Sequence, residues 1–151
     1  MDSWRKISSP SNPSFAIAAQ AARLNTNTRY LVSDVIEYAE RLGNLFPGDL
    51  NVVYFANSGS EANDLAWRMA RTVTGRTGAI VSSHAYHGST DLTMATSPEE
   101  LGIDRLPPWV ATIQMPAGLR APSLEAAVFE LSRSGHAPAF LAFDTVLSSD
   151  G

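Results

Sequence analysis

Asn57-Ser58-Gly59-Ser60-Glu61 places small polar residues between an apolar run and the apolar stripe of a helix. Ser58 and Glu61 have the Ser-x-x-Glu spacing of a capping box. With Ser58 as the cap, Gly59 and Ser60 fall in the first turn, where backbone N–H groups have no partner inside the helix. The helix dipole adds partial positive charge there. Gly59 admits close approach to the backbone, and the Ser60 hydroxyl offers a further donor. These groups suit a phosphate-sized anion, and a Glu61 folded back toward the cap need not repel it. A capped helix start with nothing bound has the same spacing. The stretch lacks the Gly-Lys-Ser/Thr of a nucleotide P-loop and is not a dinucleotide G-x-G-x-x-G. No G-x-S-x-G supports a hydrolase nucleophile.

A second stretch, His84-Ala85-Tyr86-His87-Gly88, follows an apolar run. Tyr86 could stack on a flat ring, with Gly88 leaving room for it. A tyrosine packed within its own loop is the alternative. His84, His87 and Asp91 would have metal-ligand spacing on a helix, but not on a loop that leaves a strand and contains Gly88. No metal is expected. Asp144 ends a third apolar run, either to orient a ligand or to cap the next turn.

The elements that must position these residues alternate between strand and helix. Phe15–Leu24 reads as a short amphipathic helix capped by Ser14, behind an N-terminal arm over residues 1–14. The same apolar stretch, after Arg5 and Lys6, faintly resembles a signal peptide, but Gln20 and the prolines at 10 and 13 weigh against one. Leu31, Val35, Ile36, Ala39, Leu42 and Leu45 mark one face of a helix over Tyr30–Phe46. Asn51–Ala56 is β-branched and aromatic and predicts a buried strand. Ala62, Leu65, Ala66, Met69, Ala70 and Val73 predict a helix closed by Gly75. Further strands are expected at Gly78–Ser83, Trp109–Met115 and Pro138–Asp144. A helix is expected at Ser123–Ser134, and Ser97–Pro108 reads as irregular. This is an α/β pattern: a mostly parallel sheet with helices on both faces. Ligands of such sheets lie at the carboxyl ends of strands, so residues 57–60, 82–88 and 144 onward are expected along one edge.

The chain has 151 residues, a net charge of −4 and no cysteine. Disulfides and thiolate chemistry are excluded, and nothing favours nucleic acid or an anionic membrane as partner. Of its 11 basic residues all but Lys6 are arginine.

"NSGSEAN", "HAYHG" and "FDTVLSSDG", in this order on α/β segments, resemble the class III aminotransferases, enzymes of fold type I that use pyridoxal 5'-phosphate (PLP). "LNTNTRYL" and "NSGSEANDLAWRMAR" are similar to the branch containing ethanolamine-phosphate phospho-lyases. The resemblance runs from about residue 15 to 151, as part of the PLP-binding large domain. It implies that Ser58, Gly59 and Ser60 hold the cofactor phosphate. Tyr86 would stack on the pyridine ring, with His87 and Gly88 beside it. Asp144 stands where the family usually has glutamate. It is a candidate cofactor contact and the one possible catalytic residue, although it is a methylene shorter. The family's Schiff-base lysine and the aspartate that pairs with the ring nitrogen lie downstream of Asp144's counterpart. Lys6 precedes the phosphate site and cannot serve as that lysine. The resemblance thus implies a cytoplasmic, homodimeric transaminase that takes an amine or amino acid and a keto acid. The chain alone is expected to be inactive. A phospho-lyase of the same family and a non-catalytic module binding a phosphate-bearing ligand are the alternatives.

Overall fold

The computed structural model describes residues 13–27, 29–114 and 123–144. They form two units that divide between Tyr54 and Phe55. In the first unit, α1 spans Pro13–Arg23 and α2 spans Ser33–Gly43. Proline suits a first helical position because its fixed φ is already helical. The helix therefore starts at Pro13, and Ser14 lies within its first turn rather than capping it. The arm expected over 1–14 accordingly loses its last two residues to α1, and its first twelve lie outside the described residues. Helix α2 is shorter at both ends than its apolar stripe: its N-cap, Val32, has no side chain that can accept a hydrogen bond. None of its residues is buried. An Arg23–Asp34 ion pair at 3.6 Å and a Glu37–Arg41 pair one turn apart are both solvent-exposed.

The strand expected at Asn51–Ala56 does not form. Its residues have strand propensity, but a strand exists through the ladder it shares with a neighbour. Among the described residues none pairs with it, and Val52 and Tyr54 are 74% and 66% exposed rather than buried.

The second unit is an α/β sandwich of three parallel strands. Helix α3 (Gly59–Thr74) precedes β1 (Gly78–Ser82). Two short helices follow, α4 (Asp91–Ala95) and α5 (Pro98–Leu101), then a 3₁₀ turn at Ile103–Arg105. Thr90 caps α4, and α5, opened by Pro98, together with the 3₁₀ turn replaces most of the irregular stretch read over 97–108. Strand β2 (Val110–Ile113), helix α6 (Leu124–Arg133) and β3 (Pro138–Ala142) complete the unit. The sheet order is β2-β1-β3, with Ile80 opposite Ala111 on one side and Leu141 on the other.

Alternation along β1 assigns each face its own core. Ile80 packs with Ala111, Ile113, Ala127 and Leu131, the last two from α6. Ala79 and Val81 point the other way, into a cluster with Ala85, Val110, Trp109 and Phe140. Trp67 of α3 covers that second face; its ring lies 4.5 Å from Trp109 and 5.4 Å from Phe140. Helices thus cover both faces, and β1, buried at every position, is the central strand.

Candidate functional site

Helix α3 begins as its sequence requires. Ser58 is extended, and its Oγ accepts the Glu61 N–H at 3.1 Å. The Glu61 carboxylate turns back as expected but reaches one residue further. It accepts from the Asn57 backbone N–H at 2.8 Å and from the Asn57 side-chain amide at 3.2 Å, not from the cap residue itself. Its charge is thereby turned toward Asn57. At the other end Gly75 caps the helix with φ +66° and donates to the Arg71 carbonyl. The N–H groups of Gly59 and Ser60 point out of the first turn without helical partners. A Cβ on Gly59 would meet nothing within 4 Å. The protein's own packing does not demand a glycine there, whereas a ligand seated against the backbone would.

The loop from β1 arrives at this helix start. Ser60 Oγ accepts the Ser89 N–H at 3.0 Å. Gly88 has φ +135°, and a Cβ there would sit 2.4 Å from Ser60 Oγ and 2.9 Å from Ser60 Cα. Gly88 therefore makes room, but for the first turn of α3 rather than for a ring. Asn63 Nδ2 donates to the His87 carbonyl at 2.7 Å. The His87 N–H donates to Ser97 Oγ at 2.8 Å, and Ser97 in turn donates to the Thr93 carbonyl. Tyr86, at the head of this stretch, keeps a half-exposed ring and is not packed away within its loop.

His87 also lines a cavity of about 270 Å³ with Asn63, Trp67, Thr93 and the end of β3. Its Nε2 is buried there without a hydrogen-bond partner among the described residues, as is Trp67 Nε1. Burial holds the His87 imidazole below its ordinary pKa of 6.5, and the Asp144 carboxylate opposes that shift. Asp144 follows β3 at the exposed end of the strand. Two of the three expected segments therefore meet, Ser58–Ser60 touching the 86–89 loop, while the Asp144 carboxylate is felt electrostatically at His87. His84 is exposed in the turn after β1. Among the described residues no group of His, Cys, Asp or Glu could hold a metal ion.

Asn63, Ser89, Thr93 and Ser97 were not legible as site residues. The available signal was the density of hydroxyls over 89–97, "STDLTMATS". Thr93, Thr96 and Ser97 are all buried, and buried hydroxyls need partners.

The family described as aminotransferase class-III matches residues 12–133. An alanine–glyoxylate aminotransferase 2-like protein of Drosophila melanogaster is 46% identical over 81 residues, 54% of this chain and 16% of its own length. An ethanolamine-phosphate phospho-lyase homolog of Caenorhabditis elegans is 47% identical over 83 residues, 55% of this chain and 18% of its own. A phospholyase from Arthrobacter, solved in complex with phosphoethanolamine, superposes with a TM-score of 0.78 at 36% identity, over 91% of this chain and 36% of that one. A transaminase solved with PLP bound shares the fold, with a TM-score of 0.67 at 24% identity, over 90% of this chain and 33% of that one. The chain spans well under half the length of each of these proteins. It belongs to the class III aminotransferase family, fold type I enzymes whose cofactor is pyridoxal 5'-phosphate.

Proposed function

We propose that this chain forms the phosphate-side half of a PLP site of a transaminase. The Gly59 and Ser60 N–H groups and the Ser60 hydroxyl bind the cofactor phosphate, while Ser58 holds the helix start in shape. Tyr86 covers one face of the pyridine ring. His87 and Gly88 tie that loop to α3, and Asp144, after the end of β3, acts electrostatically on His87. The observation that carries this reading is the Ser60–Ser89 hydrogen bond, because it joins the anion-binding turn to the loop that bears the aromatic ring. The residues fit the cofactor: the space over Gly59 is open, and Tyr86 is half exposed.

When bound, PLP supplies an electron sink for bond breaking at an amine carbon. The parts contributed by this chain are binding and orientation. Helix-terminal N–H groups anchor the dianion, and the tyrosine ring restricts the pyridine plane. Lys6 is the only lysine in the sequence and is given no part in moving the amine proton, and Asp144 is the one candidate for a catalytic role. The chain alone is expected to bind PLP without turnover, with an amine or amino acid and a keto acid as the substrates of the complete activity. The test is to incubate the chain with PLP and an amine donor. Unchanged PLP agrees with the reading, and amine-dependent formation of pyridoxamine phosphate contradicts it.

The phospho-lyase reading is favoured by the likeness to the phospholyase solved with phosphoethanolamine. It predicts elimination of phosphate in place of amino transfer. Release of inorganic phosphate from phosphoethanolamine by the PLP-loaded protein would select it.

A further inference from the structure

We infer that Asn63 and Ser97 are positioning residues that set the height of the Tyr86 ring over the cofactor-phosphate turn, an inference that rests on the PLP reading above. His87 joins two consecutive peptide groups, and each is held from a different side. Its N–H, in the peptide shared with Tyr86, is fixed by Ser97 Oγ at 2.8 Å. Its carbonyl, in the peptide shared with Gly88, is fixed by Asn63 Nδ2 at 2.7 Å.

Ser97 is itself held rigidly. It is fully buried, and its hydroxyl hydrogen is committed to the Thr93 carbonyl at 2.7 Å, so its oxygen faces the His87 N–H as an acceptor. Asn63 stands three residues after Ser60 on α3, and residues at that spacing share one helix face. Ser60 takes Ser89 and Asn63 takes His87, so two side chains of one helix face grip loop residues two apart. The same helix carries the unpaired N–H groups of Gly59 and Ser60. Phosphate anchor and aromatic loop are therefore referred to one rigid element. That arrangement matters for a ligand whose phosphate and ring are joined by a single short oxymethylene link. The distance between its two ends is nearly fixed, so a loop free to drift would lose the ring while the turn kept the phosphate.

The geometry thus predicts a split between two probes. Inorganic phosphate samples only the helix start; PLP samples the helix start and the ring together. In Asn63→Leu the side chain keeps its approximate shape and stays neutral but loses its donor, leaving the His87 carbonyl without that partner. PLP affinity is expected to fall about tenfold, the scale of one lost hydrogen bond. Inorganic phosphate affinity is expected to stay within about twofold. The induced circular dichroism of bound PLP should weaken as the ring loses its fixed orientation. Asn63→Gln, which retains the amide donor, is expected to recover part of both. Because Asn63 is exposed, these variants spare the core. Wild-type-like PLP affinity and dichroism in Asn63→Leu would overturn this inference alone, as would equal losses for both probes. A wild-type chain that binds phosphate but not PLP would overturn the proposed function and this inference with it.

Discussion

Gly88 is the residue on which the site turns. Its φ is +135°, and a Cβ there would lie only 2.4 Å from Ser60 Oγ, so the position has no space for a side chain. Gly88→Ala must push the loop off α3 or strain the backbone, at a cost of about 1–3 kcal/mol. Its thermal midpoint should drop, and the Ser89 amide should exchange faster. His87 makes a second prediction. Unfolded, it titrates near 6.5; folded, burial keeps its pKa lower. Between the two values the unfolded chain binds a proton that the folded chain does not. Stability therefore falls as pH drops through 6.5 and levels off below the folded value. Denaturation midpoints measured across that range should slope for the wild-type chain. The slope should flatten in His87→Asn and extend to lower pH in Asp144→Asn, which removes the opposing charge. The capped start of α3 was legible because Ser58 and Glu61 stand at capping-box spacing. Asn63 and Ser97 were not, because their partners lie 24 and 10 residues away and only folding brings them together.

At the scale of elements, local rules worked where an element stabilises itself. Helix α3 starts at its Ser58 cap and ends at Gly75 as its sequence dictates, and the three strands of the sheet fall inside their apolar runs. The rules failed where stability depends on a neighbour. Asn51–Ala56 has the composition of a strand but shares no ladder with the described strands. The stripe through α2 extends past the helix at both ends, since nothing caps it at Val32. Trp67 links the successful elements. It is 4% exposed and wedged against Trp109 and Phe140, so it holds α3, and with it the phosphate turn, on the sheet. Trp67→Ala should cost about 3–5 kcal/mol. A urea titration showing a loss below about 1 kcal/mol would mean that α3 is held by other contacts.

For the whole molecule, the apolar surface is the dominant fact. Leu31, Leu45, Val52 and Phe15 are all at least 71% exposed. Exposed apolar side chains in this number favour association. Sedimentation or light scattering is expected to show a mass above 16.2 kDa that rises with concentration. A strict monomer at high concentration would argue that these side chains find cover within one chain. The family and fold class were readable because "NSGSEAN" and "HAYHG" form a specific pair of motifs, and both lie in the segments that form the second unit. The choice between transamination and phosphate elimination was not readable, because relatives of both kinds resemble this chain to a similar degree.

The central claim is that the first turn of α3 and the Tyr86 loop bind PLP together. It is tested most directly by titrating the chain with PLP and following backbone amide resonances. The account predicts saturable shifts at Gly59 and Ser60 together with shifts of the Tyr86 ring, and excess inorganic phosphate should reverse them. Saturable binding that leaves Gly59 and Ser60 unmoved, or no saturable binding at all, would contradict it.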